Sequence, residues 1–223
     1  MAAKFKNVIT EIDTTGSGQA LLTCPAGKTI LIRTFYIRNN NNADSTHYVA
    51  IKDNSEDSSN SFPIFDFALD VSASTTAVNI NPIVLEENDI FLFQTSQANQ
   101  HITLAYVELD TGVTQRYKMF CASLADGVTT TAITCPTGST VIINYISFFN
   151  NSGGSVDNNN ISITDAGIQT NTLFVGTLAD QAGYSLHQSL VLESGDTLTC
   201  LARDSDMIFY VSYLEIRNPP IRS

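Results

Sequence analysis

The sequence predicts an all-β protein made of two tandem, homologous antiparallel β-sandwich domains of jelly-roll type. Three observations predict it. Residues 22–40, LTCPAGKTILIRTFYIRNN, recur without a gap as residues 133–151, ITCPTGSTVIINYISFFNN, so that Cys24 matches Cys135 at a spacing of 111. A second pair of matches, Leu85-Glu86-Glu87-Asn88-Asp89 with Leu192-Glu193-Ser194-Gly195-Asp196 and Tyr106-Val107-Glu108-Leu109 with Tyr213-Leu214-Glu215-Ile216, recurs at a spacing of 107. Between these landmarks, short runs of β-branched and aromatic residues alternate with Gly, Asn and Ser turns, and no segment has a sustained helical period. A repeat of this length divides the chain into residues 1–112 and 113–223, each near the common size of a domain with its own core.

Taken in order, residues 4–12 alternate loosely and form either an arm or a first strand. Thr14-Thr15-Gly16-Ser17-Gly18 is a hairpin turn; no Gly-Lys-Ser/Thr follows, as a phosphate loop would require. Residues 19–24 are a short strand. Cys-Pro-x-Gly then makes a turn, since Pro cannot donate to a ladder and Gly allows positive φ. Residues 28–38 are the long strand, with Ile30, Ile32 and Tyr36 of one parity and Leu31, Phe35 and Ile37 towards the other face. Residues 46–53 are a strand, 54–61 a polar loop, and Phe62-Pro63 lies on an edge strand. Residues 77–84, 90–95 and 102–109 complete the first half. In the second half the Asn-rich loop is read over residues 150–160. Residues 67–75 and 178–186 are the best helix candidates, at one or two turns each. Residues 111–115 are a short linker, and the Pro219-Pro220 tail is extended.

Composition narrows the function. The chain carries 11 Lys+Arg against 22 Asp+Glu, for a net charge of −11. The halves carry 13 acidic and 6 basic, and 9 and 5, or −7 and −4. No basic cluster offsets this, so a nucleic-acid partner is not expected. The start, MAAKFKNVIT, lacks the long apolar region of a secretory leader, and no run of 18 apolar residues exists to span a membrane. Cys24, Cys121, Cys135 and Cys200 are therefore expected as free thiols, and the sequons at Asn150 and Asn160 as chance matches.

No catalytic, cofactor-binding or metal-binding residue is predicted. His47, His101 and His187 occupy non-equivalent positions without a second donor at ligand spacing. Asp53 and Asp165 follow matched strands and read as turn-capping residues. Asp89 and Asp196 hold matched turns. Glu108 and Glu215 fall in separate halves, so they cannot form a glycosidase pair within one cleft. There is no G-x-S-x-G elbow and no nucleophile–His grouping.

The segments CPAGKTILIRTFYIRNN…YVAIKDNS and the turn-and-strand pattern of residues 191–216 resemble small β-sandwich virion structural and head-decoration proteins of tailed bacteriophages, cyanophage type. The resemblance covers most of each half and implies a jelly-roll-like fold and a non-enzymatic assembly role. It implies capsid decoration first and a neck or tail accessory role second, with other virion proteins and further copies of the chain, a trimer among them, as partners. The implied location is the virion, assembled in the host cytoplasm. A carbohydrate- or receptor-binding module is the rival reading. The basic ends, Lys4 and Lys6 at one and Arg217 and Arg222 at the other, are expected to reach neighbouring subunits, with the Asn-rich loops facing solvent.

Overall fold

The computed structural model describes residues 3–217 apart from 13–14, 17, 55–60, 64–68, 73–75, 80–81, 112–114, 167 and 181. It divides into two compact units, Met1–Thr111 and Gly112–Ser223. Among the described residues every regular element is a strand.

The first unit holds β1 (Ala3–Ile12), β2 (Gln19–Thr23), β3 (Lys28–Asn39), β4 (Ser45–Lys52), β5 (Ser61–Pro63), β6 (Leu69–Val71), β7 (Thr76–Asn79), β8 (Ile83–Leu85), β9 (Ile90–Thr95) and β10 (Gln100–Asp110). One antiparallel sheet has the order β1-β10-β3-β7, with β8 also on β3; the other has the order β2-β9-β4-β5, with β6 also on β4. The second unit holds β11 (Gln115–Leu124), β12 (Thr129–Thr134), β13 (Ser139–Asn150), β14 (Val156–Asp165), β15 (Gln169–Leu178), β16 (Gly183–Leu186), β17 (Leu190–Leu192), β18 (Thr197–Leu201) and β19 (Met207–Arg217). Its sheets are β11-β19-β13-β16, with β17 on β13, and β12-β18-β14-β15. In both units the first, last and third long strands lie side by side, and the second, penultimate and fourth form the facing sheet. That interleaving is the jelly roll.

The cores are apolar and aromatic. In the first unit Phe35 meets Phe91 and Phe93 edge-on, at ring separations of 5.5 and 6.1 Å. In the second, Phe148 and Phe209 pack edge-on at 5.6 Å among Val141, Ile143, Ile161 and Leu198. Ile32 and Ile143 are both fully buried. Each such side chain contributes about 1.5–3 kcal/mol of burial.

Two bulges recur at matched places. Arg33 is the extra residue where β3 pairs β10, and Asn144 where β13 pairs β19. Leu21 and Ala132 are the extra residues of β2 and β12. A bulge switches the side to which later side chains point. This corrects the alternation expected for the long strand: past Arg33, Phe35 and Ile37 join Ile30 and Ile32 in the core, and Tyr36 is 43% exposed.

Other expectations change too. The run 77–84 is two short strands, β7 and β8, both on β3. Residues 156–160, read as loop, belong to β14. The helix candidate 178–186 holds the end of β15, a turn in which Ala182 N donates to Ala179 O at 3.1 Å, and all of β16. The other helix candidate holds β6, with residues 67, 68 and 73–75 outside the described residues. The polar loop at 55–60, most of the linker and the Pro219-Pro220 tail also lie outside them. Residues 4–12 are a strand, paired along its length with β10. Phe62-Pro63 lies on β5, at a sheet edge.

Candidate functional site

Cys24, Asp89 and Glu108, and their matches Cys135, Asp196 and Glu215, lie in both units at the same end of the sandwich. There the Cys-Pro-x-Gly turn meets the turn before the penultimate strand. Lys28 N donates to Pro25 O at 3.2 Å and Ser139 N to Pro136 O at 3.0 Å. Gly27 and Gly138 occupy the third turn position with φ of 68° and 73°, which explains the glycine. Cys24 bridges to the second turn through its backbone: its N donates to Asp89 O at 2.9 Å and its O accepts from Asn88 N at 2.9 Å. Cys135 repeats both bonds with Asp196 and Gly195. Each thiol is enclosed and directs its Sγ to a backbone carbonyl 3.4 Å away, Lys28 O or Ser139 O.

Asp89 and Asp196 fasten this end. Asp89 accepts from Glu86 N at 2.7 Å and from Asn54 N at 3.2 Å. Asp196 accepts from Glu193 N at 2.8 Å and from Ala166 N at 3.0 Å. Each carboxylate thus closes its own turn and ties it to the end of the fourth long strand. Burial raises the Asp89 carboxyl to about 7, with the Asp53 charge adding to the rise against hydrogen bonds from Glu86 and Asn54. Asp53 is buried and Asp165 is exposed. The sequence reading placed turn-capping on the Asp53/Asp165 pair as well as on Asp89/Asp196; the second pair carries the bonds just described.

Glu108 and Glu215 are matched halves of ion pairs. Lys6 Nζ lies 2.5 Å from Glu108 Oε2, and Lys118 Nζ 2.8 Å from Glu215 Oε2. The hydrogen bond from Lys6 holds the Glu108 carboxyl below its usual range. Burial pushes Glu215 up, but the Lys118 hydrogen bond and the nearby Lys118, Arg217 and Arg116 charges outweigh it and leave it lowered. Lys6 therefore has an ion-pair partner within its own unit.

The histidines stay apart. His47 is buried, its Nε2 2.8 Å from Gln100 Oε1. His101 lies on the surface 3.3 Å from Glu11, and His187 stacks on Tyr145 at 5.5 Å. Among the described residues no three metal-ligating side chains cluster. All four cysteines are buried thiols outside any disulfide. Burial raises Cys24 and Cys200 to about 12 and also raises Cys135, so none of these is a thiolate near neutrality.

The loops after the long strands are exposed at Asn40, Asn42 and Asn151, whereas the Asn residues that end those strands, Asn39 and Asn150, are buried. Asn39 Nδ2 donates to Ala43 O and Val71 O at 2.8 and 2.9 Å, and Asn150 Nδ2 to Gly154 O and Leu178 O at 2.7 and 2.9 Å. Their Oδ1 atoms accept from Asn41 N and Ser152 N, both at 3.0 Å. The buried amide of Asn150 leaves that sequon closed to modification in the folded chain.

No protein-family profile matches this chain, and no curated protein does. Among solved structures, the major capsid protein P2 from bacteriophage PM2 is 11% identical, with 100% of both chains covered and a TM-score of 0.37. The STIV MCP is 9% identical over 97% of each chain, with a TM-score of 0.36. The CBM22-1-CBM22-2 tandem domain of Paenibacillus barcinonensis Xyn10C is 12% identical over 96% of this chain and 92% of that one, with a TM-score of 0.24.

Proposed function

We propose that the chain is a non-enzymatic structural protein of a bacteriophage virion, with capsid decoration as its specific role. The observation that carries this reading is the use made of the repeated chemistry-bearing residues. Cys24/Cys135, Asp89/Asp196, Glu108/Glu215 and Asn39/Asn150 each spend their polar atoms on holding a turn or a strand of their own unit. A duplicated scaffold of this kind suits a protein whose function is contact with neighbouring molecules. The sequence resemblance to tailed-phage virion proteins supplies the neighbours: major capsid protein and further copies of this chain. Many weak contacts of one kind add up on a shell by multivalency.

Electron microscopy of purified particles carrying a labelled copy of the chain tests this. The expected result is regular label on the head. Label on the neck or tail moves the role there, and particles free of the chain overturn the reading.

A further inference from the structure

The strand β1 is an edge strand of the first unit. It pairs with β10 on one side and, among the described residues, with no strand on the other. Its outward face carries Phe5, Asn7 and Ile9; Phe5 is 85% and Ile9 71% exposed. The same positions of the matched strand β11 are Tyr117, Met119 and Cys121, of which Met119 and Cys121 are buried. The matched positions therefore differ in exposure. A long sheet edge flanked by apolar side chains is a template for adding a strand.

We propose that β1 is a self-association edge: two copies of the chain pair their β1 strands antiparallel about a two-fold axis at Asn7, joining two sheets into one. The strand is self-complementary in this register. Phe5 of each copy falls opposite Ile9 of the other, so both exposed apolar side chains are covered twice over, and Asn7 meets Asn7. Directly opposite residues must share a face, so under two-fold symmetry the axis passes through a residue. Moving it to Lys6 sets lysine against lysine, and moving it to Val8 sets Phe5 against Glu11; the Asn7 register avoids both. Charge agrees with the direction. The strand begins with Lys4 and Lys6 and ends with Glu11, so antiparallel pairing lays the basic start of one copy along the acidic end of the other. A parallel pair would oppose like charges. The antiparallel pairing closes as a dimer, so the trimer suggested by the resemblance would need other surfaces. The inference goes beyond the virion role and does not rest on it.

The full chain tests it in solution. Sedimentation equilibrium at about 100 μM is expected to show a dimer of the 24.2 kDa chain, since a small edge interface belongs to the micromolar range. Ile9→Lys acts twice across the axis and is expected to weaken dimerisation at least about ten-fold with an unchanged melting curve. Asn7→Cys under mild oxidation is expected to give a disulfide-linked dimer, because facing Cα atoms in such a pair lie about 4.5–5.5 Å apart. Phe5→Cys is the control: its two copies would be about 13 Å apart along the strand, beyond disulfide reach. A wild-type chain that stays monomeric, a dimer that survives Ile9→Lys, or cross-linking as efficient at residue 5 as at residue 7 overturns the proposal.

Discussion

The two units share a backbone plan and differ at one end of the sandwich. In the first, the end of β3, the start of β4 and the start of β10 carry a buried polar chain. Gln100 Nε2 donates to Asn39 Oδ1 at 2.9 Å, Gln100 Oε1 meets His47 Nε2, and Ser45 Oγ lies 2.9 Å from Thr95 Oγ1. In the second, the matched positions are Asn150, Asn159, Met207, Val156 and Ala202, so only the two asparagines keep a polar function. Asn159 donates to Val156 O at 2.8 Å and accepts from Arg203 N at 3.2 Å. The lesson is that Asn39 and Asn150 set the backbone at this end, because they hold loop and strand carbonyls in both units. What fills the space behind them is free to be a hydrogen-bonded network or an apolar plug, provided it is wholly one or the other.

The sharpest break is common to both cores. Ile143→Asp buries a charge without a partner, a loss of several kcal/mol against about 5–15 kcal/mol for a whole domain. The expected result is loss of the second unit's melting transition by calorimetry, and Ile32→Asp should do the same to the first. A wild-type thermogram for either would show that the two cores do not carry their units' stability.

Exchanging the differing residues tests the comparison itself. Met207→Gln places an amide where the residue matched to His47 is Asn159, already bonded to Val156 O and Arg203 N, and should cost about 3 kcal/mol. The reciprocal Gln100→Met strands His47 Nε2 and should cost about 2 kcal/mol. If both exchanges leave the denaturant midpoints unmoved, the two ends are interchangeable and the contrast has no energetic content.

Asp89 sharpens it through pH. Its folded carboxyl, at about 7, lies above the ordinary carboxylate value, so the folded state holds this proton after the unfolded chain has released it. The contribution is complete below about pH 4 and lost as pH rises through about 7, amounting to about 2 kcal/mol once solvent screening is allowed for. The wild-type protein should therefore lose stability from this group between about pH 4 and about pH 7. Asp89→Asn should flatten that slope, and an equal slope in both proteins counts against the assignment.

The smallest effect should be equal in the two units. Ala at Gly27 or at Gly138 meets no atom within 4 Å, so only the positive φ opposes it, at about 1 kcal/mol. Melting points should fall by similar amounts, about 4–8 °C for domains of this size. A marked inequality would mean that the two turns are not the same structure.

Much of this was legible in one dimension. The gapless repeat around Cys24 and Cys135, with its Pro and Gly, marked the turns and the long strand, since turn chemistry and β-branched runs are local properties. The matched Asp89 and Asp196 marked the second turn for the same reason. What the letters could not show was which way side chains point after a bulge: nothing in Arg33 or Asn144 announces the extra residue, because a bulge is a property of a strand pair and not of a strand. The same limit hid the burial of Asn39 and Asn150, whose acceptors Val71 O and Leu178 O lie 32 and 28 residues away. It also hid the role of residues 4–12: their alternation allowed an arm or a strand, and pairing with β10, nearly a hundred residues later, makes them the edge. Local sequence determined where the chain turns and where it extends; only the packing of distant strands decided which faces are core, which polar groups are enclosed and which edge is left open.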